Sequence, residues 1–99
     1  MNIFNQHIEK INALCKVYHV RRLYAFGSVL TNQFNEESDI DLIVDFNDIQ
    51  LLDYADNYFD LKFSLEDAFQ RKVDLVEEKA IKNPYFKKAI EQNKQLIYG

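Results

Sequence analysis

A chain of 99 residues that is 47% hydrophobic has the length of one domain, residues 1–99, with one modest core. Its formal charge of −4 argues against a bare nucleic-acid partner, whose backbone calls for a basic face, and suits an acidic site that recruits divalent cations. A single cysteine excludes an intramolecular disulfide, no apolar run approaches the roughly 18 residues of a membrane span, and the N-terminus carries no signal-peptide pattern, so the expected setting is soluble and cytoplasmic.

In chain order, Ile3, Phe4, His7, Ile8, Ile11, Leu14, Cys15 and Tyr18 recur at helical spacing and predict an amphipathic helix over about Asn2 to Val17. Val20 to Phe26 is rich in strand formers and stops at Gly27, which reads as a strand. Ser28 is placed to cap a short helix opening near Val29. Gln33 to Ser38 is polar and reads as a loop, and Asp39 to Phe46 as a second strand. A long helix follows, capped by Asp48 or Asp53 and running to about Gln70, with an apolar stripe that includes Leu51, Leu52, Ala55, Phe59, Leu65 and Phe69. Lys72 to Val76 is a third strand, Pro84 opens a last helix to about Gln92, and Gln95 to Tyr98 closes with a short strand. Helices alternate with strands, so the expected class is α/β or α+β, a layered sheet. Eight Phe and six Tyr are many for this length, and some are expected at the surface, marking an interface.

The chemistry concentrates between Gly27 and Asp41. Residues two apart on a strand face the same way, so Asp39 and Asp41 project together while Ile40 and Leu42 point to the other face. Two close like charges repel unless a cation lies between them, and magnesium takes carboxylate and phosphate oxygens plus water. Gly27 lets backbone approach a ligand, Ser28 adds a hydroxyl, and a helix start offers N–H groups to an anion. An Asp-x-Asp alone is usually a solvated strand end, and a Gly-Ser after a strand is common. Strand, Gly-Ser, short helix, loop and a strand opening with Asp-x-Asp form a far more specific series. A third carboxylate, Asp74, lies within the apolar strand Val73 to Val76. It is either an edge-strand charge facing solvent or, if its strand adjoins Asp39–Asp41, the third member of a triad, as a metal ligand or a general base.

Phe26-Gly27-Ser28 with Ser38-Asp39-Ile40-Asp41-Leu42 resembles the signature of the polymerase-β nucleotidyltransferase superfamily. Val73-Asp74-Leu75-Val76 and the ending Leu96-Ile97-Tyr98 resemble its minimal nucleotidyltransferases, the MntA-like group. The resemblance implies a mixed sheet with helices packed mainly on one face. It implies that Gly27 and Ser28 grip the triphosphate of ATP, and that Asp39, Asp41 and Asp74 bind Mg2+ and serve catalysis. It also implies a HEPN-domain toxin as partner, neutralised by transfer of AMP to a toxin tyrosine. One departure stands out. Where the family commonly has Ala-Arg-Gly after the Gly-Ser pair, this chain has Leu30-Thr31-Asn32. Asn32 tolerates a left-handed backbone, whereas Thr31 brings no charge to a phosphate.

Two other functions compete. One is a binding antitoxin that blocks its partner by contact, which the intact aspartates oppose and Thr31 mildly favours. The other is transfer to a small molecule, for which the chain looks short of an acceptor domain. Acceptor, nucleotide preference and oligomeric state stay open. The remaining residues have plain readings. Cys15 is core, His7 and His19 serve packing or the surface, Tyr24 is strand packing, and Lys79, Lys82, Lys87 and Lys88 form a solvated face.

Overall fold

Strand-forming runs and one bulge set the frame. The computed structural model describes residues 3–31 and 34–99; the expectations for Asn2, Asn32 and Gln33 lie outside them. β1 (Val20–Phe26) pairs antiparallel with β2 (Ile40–Phe46), and β2 pairs parallel with β3 (Val73–Glu77). β4 (Gln95–Tyr98) adds antiparallel to the free edge of β1, giving the order β3-β2-β1-β4. The sheet is mixed, as expected. A register shift between Val20 and Arg22 lets Val20 and Leu23 both face inward with two exposed arginines between them, which strict alternation forbids.

Leu23, Ala25, Ile40, Leu42, Val44, Val73 and Leu75 line one face of the sheet and are buried against three helices. These are α1 (Ile3–Gln6), α2 (Ile8–Val17) and α3 (Leu51–Phe69). The single predicted N-terminal helix is therefore two, broken at His7, whose backbone leaves helical geometry. The break lets two rings converge on Phe69, Phe4 at 5.8 Å and His7 at 5.4 Å, both edge-on. Cys15 is fully buried, and burial pushes its thiol up to about 12, so it is core as expected. α4 (Pro84–Asn93) lies across the opposite face, with Phe86 edge-on to Phe26 at 6.2 Å and Ile90 buried. Its start obeys local rules: Asn83 Oδ1 accepts from the N–H groups of Tyr85 and Phe86, and Pro84 takes the first turn.

Two expectations for α3 need correction. Neither Asp48 nor Asp53 caps it; Gln50 holds the N-cap position and makes no side-chain cap bond. The expected apolar stripe lies only partly on the core side. Leu61, Leu65 and Phe69 are buried, whereas Leu51 and Leu52 are about nine-tenths exposed and Phe59 is half exposed. The helix stops where Gln70 adopts a left-handed conformation, with its N–H bonded to Glu66 O. The Glu66 carboxylate then accepts the N–H of Val73 at 2.9 Å, which fixes the start of β3.

This division predicts opposite mutational costs on one helix. Leu65→Ala should lower unfolding stability by about 2–5 kcal/mol, and Leu51→Ala should stay within about 0.5 kcal/mol of the parent. Urea unfolding of both variants checks it.

Candidate active site

The antiparallel and parallel registers place Phe26, Asp41 and Asp74 on one rung: Phe26 opposes Asp41, and Asp41 stands beside Asp74. Neighbouring strands lie about 4.8 Å apart, and partners in register share a face, so the two carboxylates project side by side. Their face is the one α4 partly covers, at the end of the sheet where β1 finishes and β2 and β3 begin. Asp39 precedes β2 by one residue and is exposed; Asp41 is half-buried; Asp74 is exposed. The two sequence readings of Asp74 thus meet, because its strand is an edge strand and also the neighbour of Asp41.

Gly27 closes the site from the β1 side. It has φ +78, and a Cβ built there would lie 2.6 Å from Asp41 Oδ2. Only glycine combines that backbone with so close an approach to a carboxylate. The segment after it is a single 3-10 turn, Gly27–Leu30, rather than a helix opened by Ser28. Phe26 is at the N-cap position, and Ser28 sits inside the turn, where its carbonyl accepts from the N–H of Thr31 and from Thr31 Oγ1, both at 2.9 Å. Ser28 therefore lies one residue from the Gly27–Asp41 contact without capping the turn.

Electrostatics follow from this packing. Burial first, then the charges of Asp74 and Asp39, raise the carboxyl of Asp41 above its ordinary value. The charges of both neighbours thus reach the half-buried Asp41. Among the described residues, no three acidic, histidine or cysteine side chains gather into a ready-made metal cage. The donor set is nonetheless hard carboxylate oxygen, the kind magnesium combines with phosphate oxygens and water. Asp39 and Asp74 are exposed, so the group opens to solvent.

Two features escaped sequence reading. Arg71 pins the loop that delivers Asp39: its guanidinium donates to Asn35 O at 2.7 Å and Ser38 O at 3.0 Å and lies 4.4 Å over the Phe34 ring. An arginine just past a helix end carries no local signal for this, because its partners are over thirty residues away. The second feature is a cleft of about 440 Å³ beside Gly27, walled by Phe26, Leu30, Thr31, Phe86 and Ile90. It joins the end of β1 to α4, a contact that only the tertiary fold makes.

Two measurements probe this geometry. Gly27→Ala should cost about 1–2 kcal/mol from backbone conformation alone, plus a steric part that disappears when Asp41→Ala is also present. A double-mutant cycle reads that coupling, and strict additivity would remove the contact. The second test uses pH. The folded carboxyl of Asp41 titrates above its unfolded value, so the stability its protonated form allows is fully present below the unfolded value. That stability is lost as pH rises through the folded value. In chelator-containing buffer, Asp41→Asn should raise stability at neutral pH and flatten this decline, as followed by urea unfolding across the acid-to-neutral range.

Known proteins share this sequence and fold. The family model described as polymerase β nucleotidyltransferase matches residues 9–99. MJ0128 of Methanocaldococcus jannaschii, named as a candidate protein adenylyltransferase, is 46% identical over 81 residues, covering 82% of this chain and 78% of its own. A solved candidate minimal nucleotidyltransferase superposes with a TM-score of 0.77 at 27% identity, covering 96% of this chain and 95% of its own. A Shewanella oneidensis complex of a tri-AMPylated HEPN toxin with its MNT antitoxin contributes a chain with a TM-score of 0.66 at 20% identity. That match covers 97% of this chain and 72% of the other, and it speaks to fold alone. With its glycine turn set against paired aspartates and a family match over nearly its whole length, this chain belongs to the polymerase β nucleotidyltransferase family and is a nucleotidyltransferase.

Proposed function

We propose that this protein transfers AMP from magnesium-bound ATP to a hydroxyl of a partner protein, and that the partner is a HEPN-domain toxin for which it serves as antitoxin. The observation that carries the reading is the Phe26–Asp41–Asp74 rung with Gly27 against Asp41. It joins a carboxylate group able to hold a divalent cation to a glycine turn that admits a phosphate chain. The names of MJ0128 and of the toxin–antitoxin complex support the choice of a protein acceptor.

The roles divide by position. Asp39 and Asp41 would hold Mg2+, which supplies charge neutralisation on the phosphate oxygens. Gly27 and Ser28 would seat the β- and γ-phosphates and fix the leaving group. The acceptor oxygen forms a bond to the α-phosphorus as the bond from that phosphorus to the bridging oxygen breaks and pyrophosphate departs. Asp74, exposed on the edge strand, takes the acceptor's proton. Positioning and electrostatics supply most of the acceleration in such a scheme. Thr31 adds no cation to the turn and instead closes it on Ser28 O, so triphosphate affinity depends mainly on backbone and metal.

Intact mass spectrometry of the protein with its cognate HEPN partner, ATP and magnesium should reveal partner heavier by one or more AMP. Asp39→Asn/Asp41→Asn should abolish the gain, and chelation of magnesium should do the same. Suppression of the partner without any mass gain would replace transfer with inhibition by contact. In the transfer-competent case, Thr31→Arg should lower the KM for ATP more than it changes kcat.

A further inference from the structure

α3 is apolar on two sides. The inner side, with Leu61, Leu65 and Phe69, is buried in the core. The outer side carries Leu52, Phe59 and Phe63, spaced seven and four residues apart, so they fall on one line along the helix. They are 92%, 48% and 58% exposed, and Phe59 stacks on Phe63 at 6.0 Å. The line runs about 16 Å along the helix axis. By the same helical geometry, Asp53, Asp56, Asp60 and Asp67 form a row along one edge of it, all exposed. Among the described residues none of the four is in a salt bridge. A groove of about 280 Å³ runs beside the line between α2 and α3, walled by Leu14, Tyr18 and Phe63 with Lys10 facing Asp60 and Asp67.

We propose that this outer face of α3 is the docking surface for an α-helical segment of the protein acceptor, a segment with an apolar face edged on one side by Lys or Arg. The proposal rests on the reading of a protein acceptor and names where that acceptor is held. Charge selects the occupant. An anionic lipid surface would be repelled by the aspartate row. A second copy of this chain offers Lys62 on the other flank of its own stripe and Lys10 in the groove beside it, two cations against four aspartates. A helix with a basic edge satisfies the row and lays its apolar side chains along Leu52, Phe59 and Phe63, one of them entering the groove. An extended strand gains nothing here, because a helix face has no free backbone groups to pair with. α3 packs on the face of the sheet opposite to Asp41 and Asp74, so the partner is gripped away from the transfer site and its acceptor hydroxyl must come from another part of its surface.

The probes are two designed helical peptides of equal length and leucine content, one with arginines along an edge of the leucine face and one with glutamates there. Fluorescence anisotropy should show the arginine helix binding at least about tenfold tighter than the glutamate helix, in a salt-dependent manner. Phe59→Ser/Phe63→Ser should weaken the arginine helix by at least about tenfold, and Asp56→Lys/Asp60→Lys should reverse the preference. All four positions are exposed, so the variants retain the fold, checked by thermal unfolding. Equal binding of the two helices, binding unaffected by the Phe variant, no binding of either, or self-association through this face in sedimentation would each overturn the proposal. AMP transfer is scored separately on the cognate partner. Loss of transfer in Asp39→Asn/Asp41→Asn with helix binding intact supports docking and transfer as separable, whereas selective helix binding by a wild-type protein that transfers nothing would reject the transfer reading and keep the docking surface.

Discussion

The parallel pairing of β2 with β3 is the constraint on which the site depends. It sets Asp41 next to Asp74, an arrangement that two carboxylates would not adopt by themselves. What holds them is the apolar residues that alternate with them. Ile40 and Leu42 on one strand, and Val73 and Leu75 on the other, are buried in the core and so force the intervening aspartates to the opposite face. At roughly 25 cal/mol per Å² of apolar surface, burying four such side chains far outweighs the repulsion of two partly solvated charges. The core thus stabilises a pair whose repulsion is available to a ligand.

The supports of that pairing reach well beyond the strands. Glu66 and Gln70 end α3 and start β3 within a few residues. Tyr58 on α3 donates its hydroxyl to Leu75 O on the strand that carries Asp74. Arg71 holds the loop ahead of Asp39 by two carbonyls and a ring. A substitution at any of these would act on the carboxylates indirectly, by letting a strand end or loop drift. The site's precision therefore comes from the turn between α3 and β3 as much as from the acidic residues.

How much of this could be read from the sequence follows from how local each signal is. β1 and β4 were legible to the residue, and β2 and β3 to within one, because β-formers and flanking breakers are neighbours in the chain. The inward set of Ile40 and Leu42, with Asp41 between them turned to the other face, needed only the period of a strand. α3 was harder. With apolar residues on two faces, its periodicity does not say which face meets the sheet, and Leu51, Leu52 and Phe59, which fit the expected stripe, point out. Ser28 looked like a helix cap because Ser commonly is one, but the left-handed Gly27 tightens the backbone into one 3-10 turn. The break at His7 and the roles of Arg71 and Phe86 depend on residues far away in the chain, and no local pattern encodes them.

The cleft beside Gly27 has walls of unequal firmness. Phe26 and Leu30 belong to a strand end and a turn tied into the sheet, whereas Phe86, Ala89, Ile90 and Asn93 belong to α4. Of the ten residues of α4 only Ile90 is buried. A helix with one buried residue opens more readily than the core elements, below the free energy of global unfolding. The width of the cleft is then a soft coordinate: α4 can ride outward over a bulky occupant and settle back over a small one while the carboxylate rung stays fixed. Selectivity for what enters would be set by the elasticity of one loosely moored helix, and the chemistry by a rigid sheet.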